Sequence, residues 1–234
     1  MSPTDPHDTP PDAPPDDRVR LSLSEINALC FRAARGAGLE WGEAEEAGWA
    51  ASWLSGHGLS GPSIILAWLD AAPALARPCP APGHWAAASG PHCPLRCGIA
   101  LADFAGLAEG PGAHALTLEK VAHPLIVLPF VARATTRVGA SLRVQGLQHA
   151  IVLSAADMTT RGDLTGINDS ATADLAITAV AAPQDATDAQ APTVPIRGIT
   201  RADWRALDGL ALRMTVPSSD QSRAGAGAAG SDND

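Results

Sequence analysis

Residues 217–234 read PSSDQSRAGAGAAGSDND, gathering hydroxyls, one arginine, flexible glycines and terminal carboxylates in a single short segment. Successive backbone amides of such a glycine run can curl into an anion-binding nest. Ser219, Ser222 and Arg223 supply side-chain donors beside it, and Asp232 leads a final run of oxygen ligands of the kind a hard cation takes weakly. There is no preceding strand and no Gly-Lys-Ser/Thr, so this is not a phosphate-loop signature. The same composition also describes a flexible tail. Arg223-Ala-Gly-Ala-Gly227 echoes Arg35-Gly-Ala-Gly38, where an arginine beside two glycines can pair with a carboxylate or phosphate. Glu45 and Glu46 follow shortly after. The plain alternative for this pair of motifs is a glycine helix stop followed by an acidic first turn. His123, ahead of Pro124, is the one histidine placed as a candidate general base, against its ordinary role as a helix cap or core residue. His123, Glu45 and Glu46 are therefore the catalytic candidates. Arg35, Ser219, Ser222, Arg223 and Asp232 are the substrate-binding ones. Together they suit acid/base chemistry on a small anionic molecule.

Cys79, His84, His92, Cys93 and Cys97 also cluster in sequence. They contain no C-x-x-C knuckle, and Cys93 and Cys97 stand four apart as on one helix face, so no metal site is expected. His92-Cys93 at a helix start would favour a thiolate, but no third group completes a nucleophilic site. No motif specifies a cofactor.

The net charge of −9 and pI near 5.1, with no basic stripe, exclude nucleic acid and anionic membranes as partners. The longest apolar run, residues 125–132, is far short of the roughly 20 residues of a membrane span. Residues 1–17 lack the basic start and apolar stretch of a signal peptide. Four cysteines without secretion read as reduced thiols, which places the protein in the cytoplasm.

These candidates need a frame. Residues 1–20 are too rich in proline and aspartate to bury apolar surface and form a disordered extension. One globular domain then covers residues 21–216, and the glycine-rich segment 217–234 packs on it. Ser22-Leu-Ser-Glu25 is a capping box that opens a helix through Ala37. A second helix covers residues 41–57, making a hairpin with the first, and its expected core residues are Trp49 and Trp53. Alanine is the commonest apolar residue and buries little area, so the tryptophans carry much of the packing energy. A third helix covers 62–72, with Ile64, Ile65, Trp68 and Leu69 inward. Residues 73–94 are a proline-broken loop. Helices follow at 94–107 and at 124–138, the latter kinked at Pro129. Strand-like residues appear at 142–144, 151–153 and 175–180, and residues 181–195 form another loop. Thr200-Arg-Ala-Asp203 caps a closing helix through Met214. The fold class is α+β: an N-terminal helical hairpin and further helices, a small antiparallel meander, and a closing C-terminal helix.

Several of these pieces resemble a bacterial family known only as domain of unknown function 3726. They are Leu23-Ser-Glu-Ile26, Ala33-Ala-Arg-Gly-Ala-Gly38, Trp41-Gly with Ala44-Glu-Glu-Ala-Gly48, Cys93-Pro-Leu, Val121-Ala-His-Pro124, and Ser222-Arg-Ala-Gly-Ala-Gly227 with Asp232-Asn-Asp234. The resemblance runs from Leu21 to Asp234. It implies no reaction, but it makes the C-terminal segment a family feature. The expectation is a small cytoplasmic enzyme of bacterial small-molecule metabolism. The rivals are a non-catalytic partner subunit docking on another protein and a ligand-binding regulator.

Ordering a glycine-rich stretch costs roughly 1–2 kcal/mol per residue in backbone entropy, and residues 219–234 have little apolar surface to offset it. If they are ordered, polar contacts must hold them. Heteronuclear NMR relaxation on the full chain is expected to show restricted amides across 219–234, and flexible-limit values throughout would reduce the segment to a tail.

Overall fold

The computed structural model describes residues 17–71, 75–147, 150–154, 158–160, 172–181 and 198–214. The protein is α+β. Helix α1 (Leu23–Gly36) begins where the sequence places its capping box: Ser22 Oγ accepts from the Glu25 amide at 3.2 Å, and the Glu25 carboxylate accepts from the Ser22 amide at 2.7 Å. Its inward face is Ile26, Leu29, Cys30, Ala33 and Ala34. The chain turns through Gly38, whose φ of 95° suits glycine, into α2 (Trp41–Gly56).

The buried face of α2 departs from the expected one. It consists of Ala44, Ala47, Gly48, Ala50, Ala51, Leu54 and Ser55, while Trp49 and Trp53 are half-buried at its margin. Trp53 stacks on His57 with ring centroids 3.8 Å apart, and Trp49 meets Phe130 edge-on at 5.3 Å. The reason is distance. A side chain at Gly48 would run into the Asn27 backbone of α1, so the two helices lie too close for an indole between them. The large buried aromatics are instead Trp68 of α3 (Gly61–Ala71), Trp85, and Phe130.

Helix α4 (Pro94–Phe104) carries Pro94 in its first turn, and α5 (Leu128–Val138) follows a 3-10 turn at Pro124–Val127. The single kinked helix expected over 124–138 is thus divided. Pro129 sits in the first turn of α5, where its missing N–H leaves no bond unmade. Helix α6 (Arg201–Leu212) is capped by Thr200 Oγ1, which accepts from the Asp203 amide at 3.1 Å. Leu207 and Ala211 are buried, Trp204 and Leu210 pack on the core, and Met214 lies beyond the helix and is exposed.

The principal sheet contains β2 (His84–Trp85), β3 (Leu116–Ala122), β4 (Ser141–Gln145), β5 (Ile151–Leu153), β6 (Met158–Thr160) and β7 (Thr172–Val180), in the order β2-β3-β7-β4-β5-β6. The three strands expected from sequence are β4, β5 and β7; they are antiparallel, but β7 pairs with β4 rather than following β5, whose other neighbour is β6. β7 inserts between β3 and β4, antiparallel to both, while β2 runs parallel to β3. Strand β3 has no counterpart in the sequence reading. A bulge between Leu118 and Val121, with Lys120 in the left-handed region, breaks the two-residue alternation by which a strand is recognised. A separate two-stranded ribbon pairs β1 (Arg18–Arg20) with β8 (Gly198–Thr200), so residues 18–20, expected as part of the N-terminal extension, form a strand.

Trp68→Ala is expected to destabilise by about 3–5 kcal/mol, the usual loss for a fully buried aromatic. Trp53→Ala should lose less than half as much. Urea unfolding midpoints at unchanged slope would check this, and equal losses would put Trp53 back in the core.

Candidate functional site

A groove of about 530 Å³ lies between α2, α4 and the segment that precedes β2. Helix periodicity explains its lining. On α2, Glu43 and Glu46 are three residues apart and share one side. On α4, Arg96, Ile99, Ala100 and Asp103 recur at three- and four-residue spacing, and Phe104 adjoins them. Arg77 and Pro78 close the remaining wall.

The charges in the groove are unequally matched. Arg96 donates from Nε to Glu43 Oε1 at 2.8 Å and from Nη2 to Oε2 at 3.4 Å. That hydrogen bonding holds the Glu43 carboxyl below the ordinary carboxylate range. It outweighs the opposing effect of partial burial, and the nearby Arg96 and Arg77 charges add to it. Glu46 is gripped by Arg133 of α5 through two parallel bonds of 2.8 Å each. The Arg133 guanidinium also lies 3.8 Å from the Trp49 ring centroid, so the ion pair rests on an aromatic platform. By contrast, the side chains of Arg77 and Asp103 make no hydrogen bond or ion pair among the described residues, although both line the groove.

The residues singled out from sequence are dispersed. Arg35 donates to the Leu39 carbonyl and stands 5.6 Å from the Trp41 ring, and Trp41 Nε1 donates to Glu45 at 2.9 Å. Arg35, Trp41 and Glu45 thus form one local chain at the α1–α2 turn. Glu46, about 100° further round the same helix, belongs to the groove. His123 is half-buried with φ 42° at the end of β3, ahead of the 3-10 turn, and is not among the groove-lining residues. Ser219, Ser222, Arg223 and Asp232 lie outside the described residues.

The histidine and cysteine cluster comes apart as well. His84 pairs with Glu119 at 2.9 Å on the surface, and Cys79 is exposed. His92 is buried, with neither ring nitrogen hydrogen-bonded among the described residues. Cys93 and Cys97 are buried in α4 and at its cap, and no three potential metal donors converge among the described residues. Burial pushes the Cys30 thiol up to about 12 and also raises Cys93 and Cys97, so none of these three is poised as a thiolate.

Glu43, Arg77, Arg96, Asp103 and Arg133 had no place in the sequence reading. The Arg96–Ala100–Asp103 spacing on a helix already expected from sequence was the available signal. The pairing across to α2 was not, because it depends on how the helices pack.

Residues 21–115 match the model of a family described as "Protein of unknown function (DUF3726)". The resemblance noted above therefore holds over that stretch, which contains every groove-lining residue. Arg133, Val121-Ala-His-Pro124 and the C-terminal segment lie beyond it. No curated protein and no solved structure matches this chain.

The depressed Glu43 pKa sets a pH dependence. A carboxyl held low in the folded state adds stability that is present above its unfolded value, 4.5, and is lost as pH falls through the lower folded value. Glu43→Gln should therefore be less stable than the native chain near neutrality, and the gap should narrow as pH drops below about 4.5. Thermal unfolding across that range tests it, and a gap independent of pH would remove the ion pair as its cause.

Proposed function

We propose that the protein binds a small anionic molecule in the groove between α2 and α4, as a ligand-binding component of small-molecule metabolism in the bacterial cytoplasm. The observation that carries this reading is Arg77, an exposed arginine among the groove-lining residues with no ion-pair partner among the described residues. Arg96 adds to it: Glu43 engages its Nε and Nη2, and Nη1 makes no hydrogen bond among the described residues, so the guanidinium is held in place with a donor to spare. A guanidinium already fixed by a protein carboxylate loses little freedom on meeting a ligand carboxylate or phosphate. The volume falls in the range typical of small-molecule sites, roughly 300–1,000 Å³, and Pro78, Ile99, Ala100 and Phe104 supply apolar wall.

Recognition suits the groove better than acid/base catalysis by its glutamates. Glu43 and Glu46 are both occupied by arginines, and the Glu43 carboxylate, held ionised below its ordinary range, is a poor proton acceptor near neutrality. Cytoplasmic placement is supported by four free thiols, Cys30, Cys79, Cys93 and Cys97. Among the described residues no helix is long and apolar enough to cross a membrane.

Hexanoate is a suitable probe, pairing a carboxylate with a short apolar chain. Isotope-edited NMR titration of the full chain is expected to shift the amides of Arg77, Arg96, Ala100 and Asp103, and Arg77→Ala should weaken that response at least fivefold. Absence of any shift at these amides up to about 10 mM, where even very weak sites begin to fill, would refute anion binding in the groove.

A further inference from the structure

The charges left over in the groove lie at different places along it. Glu43 cancels Arg96 and Arg133 cancels Glu46, leaving the Arg77 and Asp103 side chains without an ion pair among the described residues; Arg137 of α5 donates to the Ala102 and Asp103 carbonyls at 3.1 and 3.2 Å, not to the Asp103 carboxylate. Arg77 belongs to the Glu43–Arg96 end, since the amide of Cys93, at the start of α4, donates to the carbonyl of the preceding Ala76 at 2.8 Å. Asp103 follows Arg96 by two helical turns on α4, a rise of about 10 Å at 1.5 Å per residue. Ile99 and Ala100 occupy the interval between them. The groove therefore runs from a cationic end, across an apolar stretch, to an anionic end.

We infer that the ligand is a zwitterion. It carries a carboxylate or phosphate received by Arg77 and Arg96, a short apolar span lying over Ile99 and Ala100, and a protonated amine received by Asp103. This rests on the anion-binding reading and adds the second charge to it. A purely anionic ligand long enough to reach Asp103 would place like charge or bare hydrocarbon beside that carboxylate, whereas an ammonium there completes the pattern. Asp103 is solvent-exposed, so the added pair follows the scale of exposed ion pairs, about 1 kcal/mol at most, or up to about fivefold in affinity.

The test compares hexanoate with 6-aminohexanoate on the full chain by NMR titration at low salt. The amino compound is expected to bind about threefold to fivefold tighter. Asp103→Asn should erase the preference, and Asp103→Lys should reverse it. Because Asp103 is exposed on α4 and its side chain bonds nothing among the described residues, these variants should fold, which native-like amide spectra would establish. Hexanoate binding as tightly as 6-aminohexanoate to the native chain, or a preference that survives in Asp103→Asn, would overturn the zwitterion while leaving the anion site standing. Failure of both probes to bind, or equal binding of both to Arg77→Ala, would overturn the anion site itself and this inference with it.

Discussion

The fold depends on how closely α2 approaches its neighbours. Its buried face is nearly all alanine and glycine, and the contacts around it leave no room for more. A methyl at Gly48 would strike the Asn27 backbone, and one at Gly61, in the first turn of α3, would strike the Ala51 carbonyl. Small side chains bury little area each, so α2 gains stability from the continuity of close contact rather than from large apolar groups. That shifts the bulky packing to other elements, and Trp68, Trp85 and Phe130 fill the space that α2 does not. It also leaves α2 free to present Glu43 and Glu46 on its other side.

The two ion pairs at that side fix α2 to α4 and to α5. Partly exposed pairs of this kind add little net stability, and their value here is geometric. Glu43 sets the Arg96 guanidinium, and Glu46 with the Trp49 ring sets that of Arg133. An arginine free in solvent samples many rotamers, and one clamped by a bidentate carboxylate samples few. The groove between them is thereby given walls of defined charge.

How much of this was legible in the sequence follows from the range of each interaction. The caps at Ser22 and Thr200 are local, and both helices start where those residues predict. The burial of Trp49 and Trp53 was misjudged because periodicity identifies a face without saying how near the facing helix comes. β3 was hidden by its own bulge, and Pro129 marks a helix start that the apolar run 125–132 concealed. Glu46 was singled out as a catalytic candidate for its neighbourhood to Arg35, whereas it lines the groove and pairs with Arg133, a partner 87 residues away. Such pairings are set by tertiary packing, and no spacing rule within α2 points to them.

The position of β7 has a consequence for how the chain assembles. Strands β3 and β4 pair on one side with β2 and β5, but each bonds on its other side to a segment that follows in sequence, so one edge of each stays open until Thr172–Val180 has left the ribosome. Helices α1 to α5 precede that point and rest on contacts nearer in sequence, so they can gather first. During that interval Leu116, Leu118, Leu142 and Val144 stand on two unsatisfied edges, a template for pairing with another nascent chain. The insertion of one late strand closes both edges at once, which makes the arrival of β7 the step at which a vulnerable intermediate becomes a native sheet.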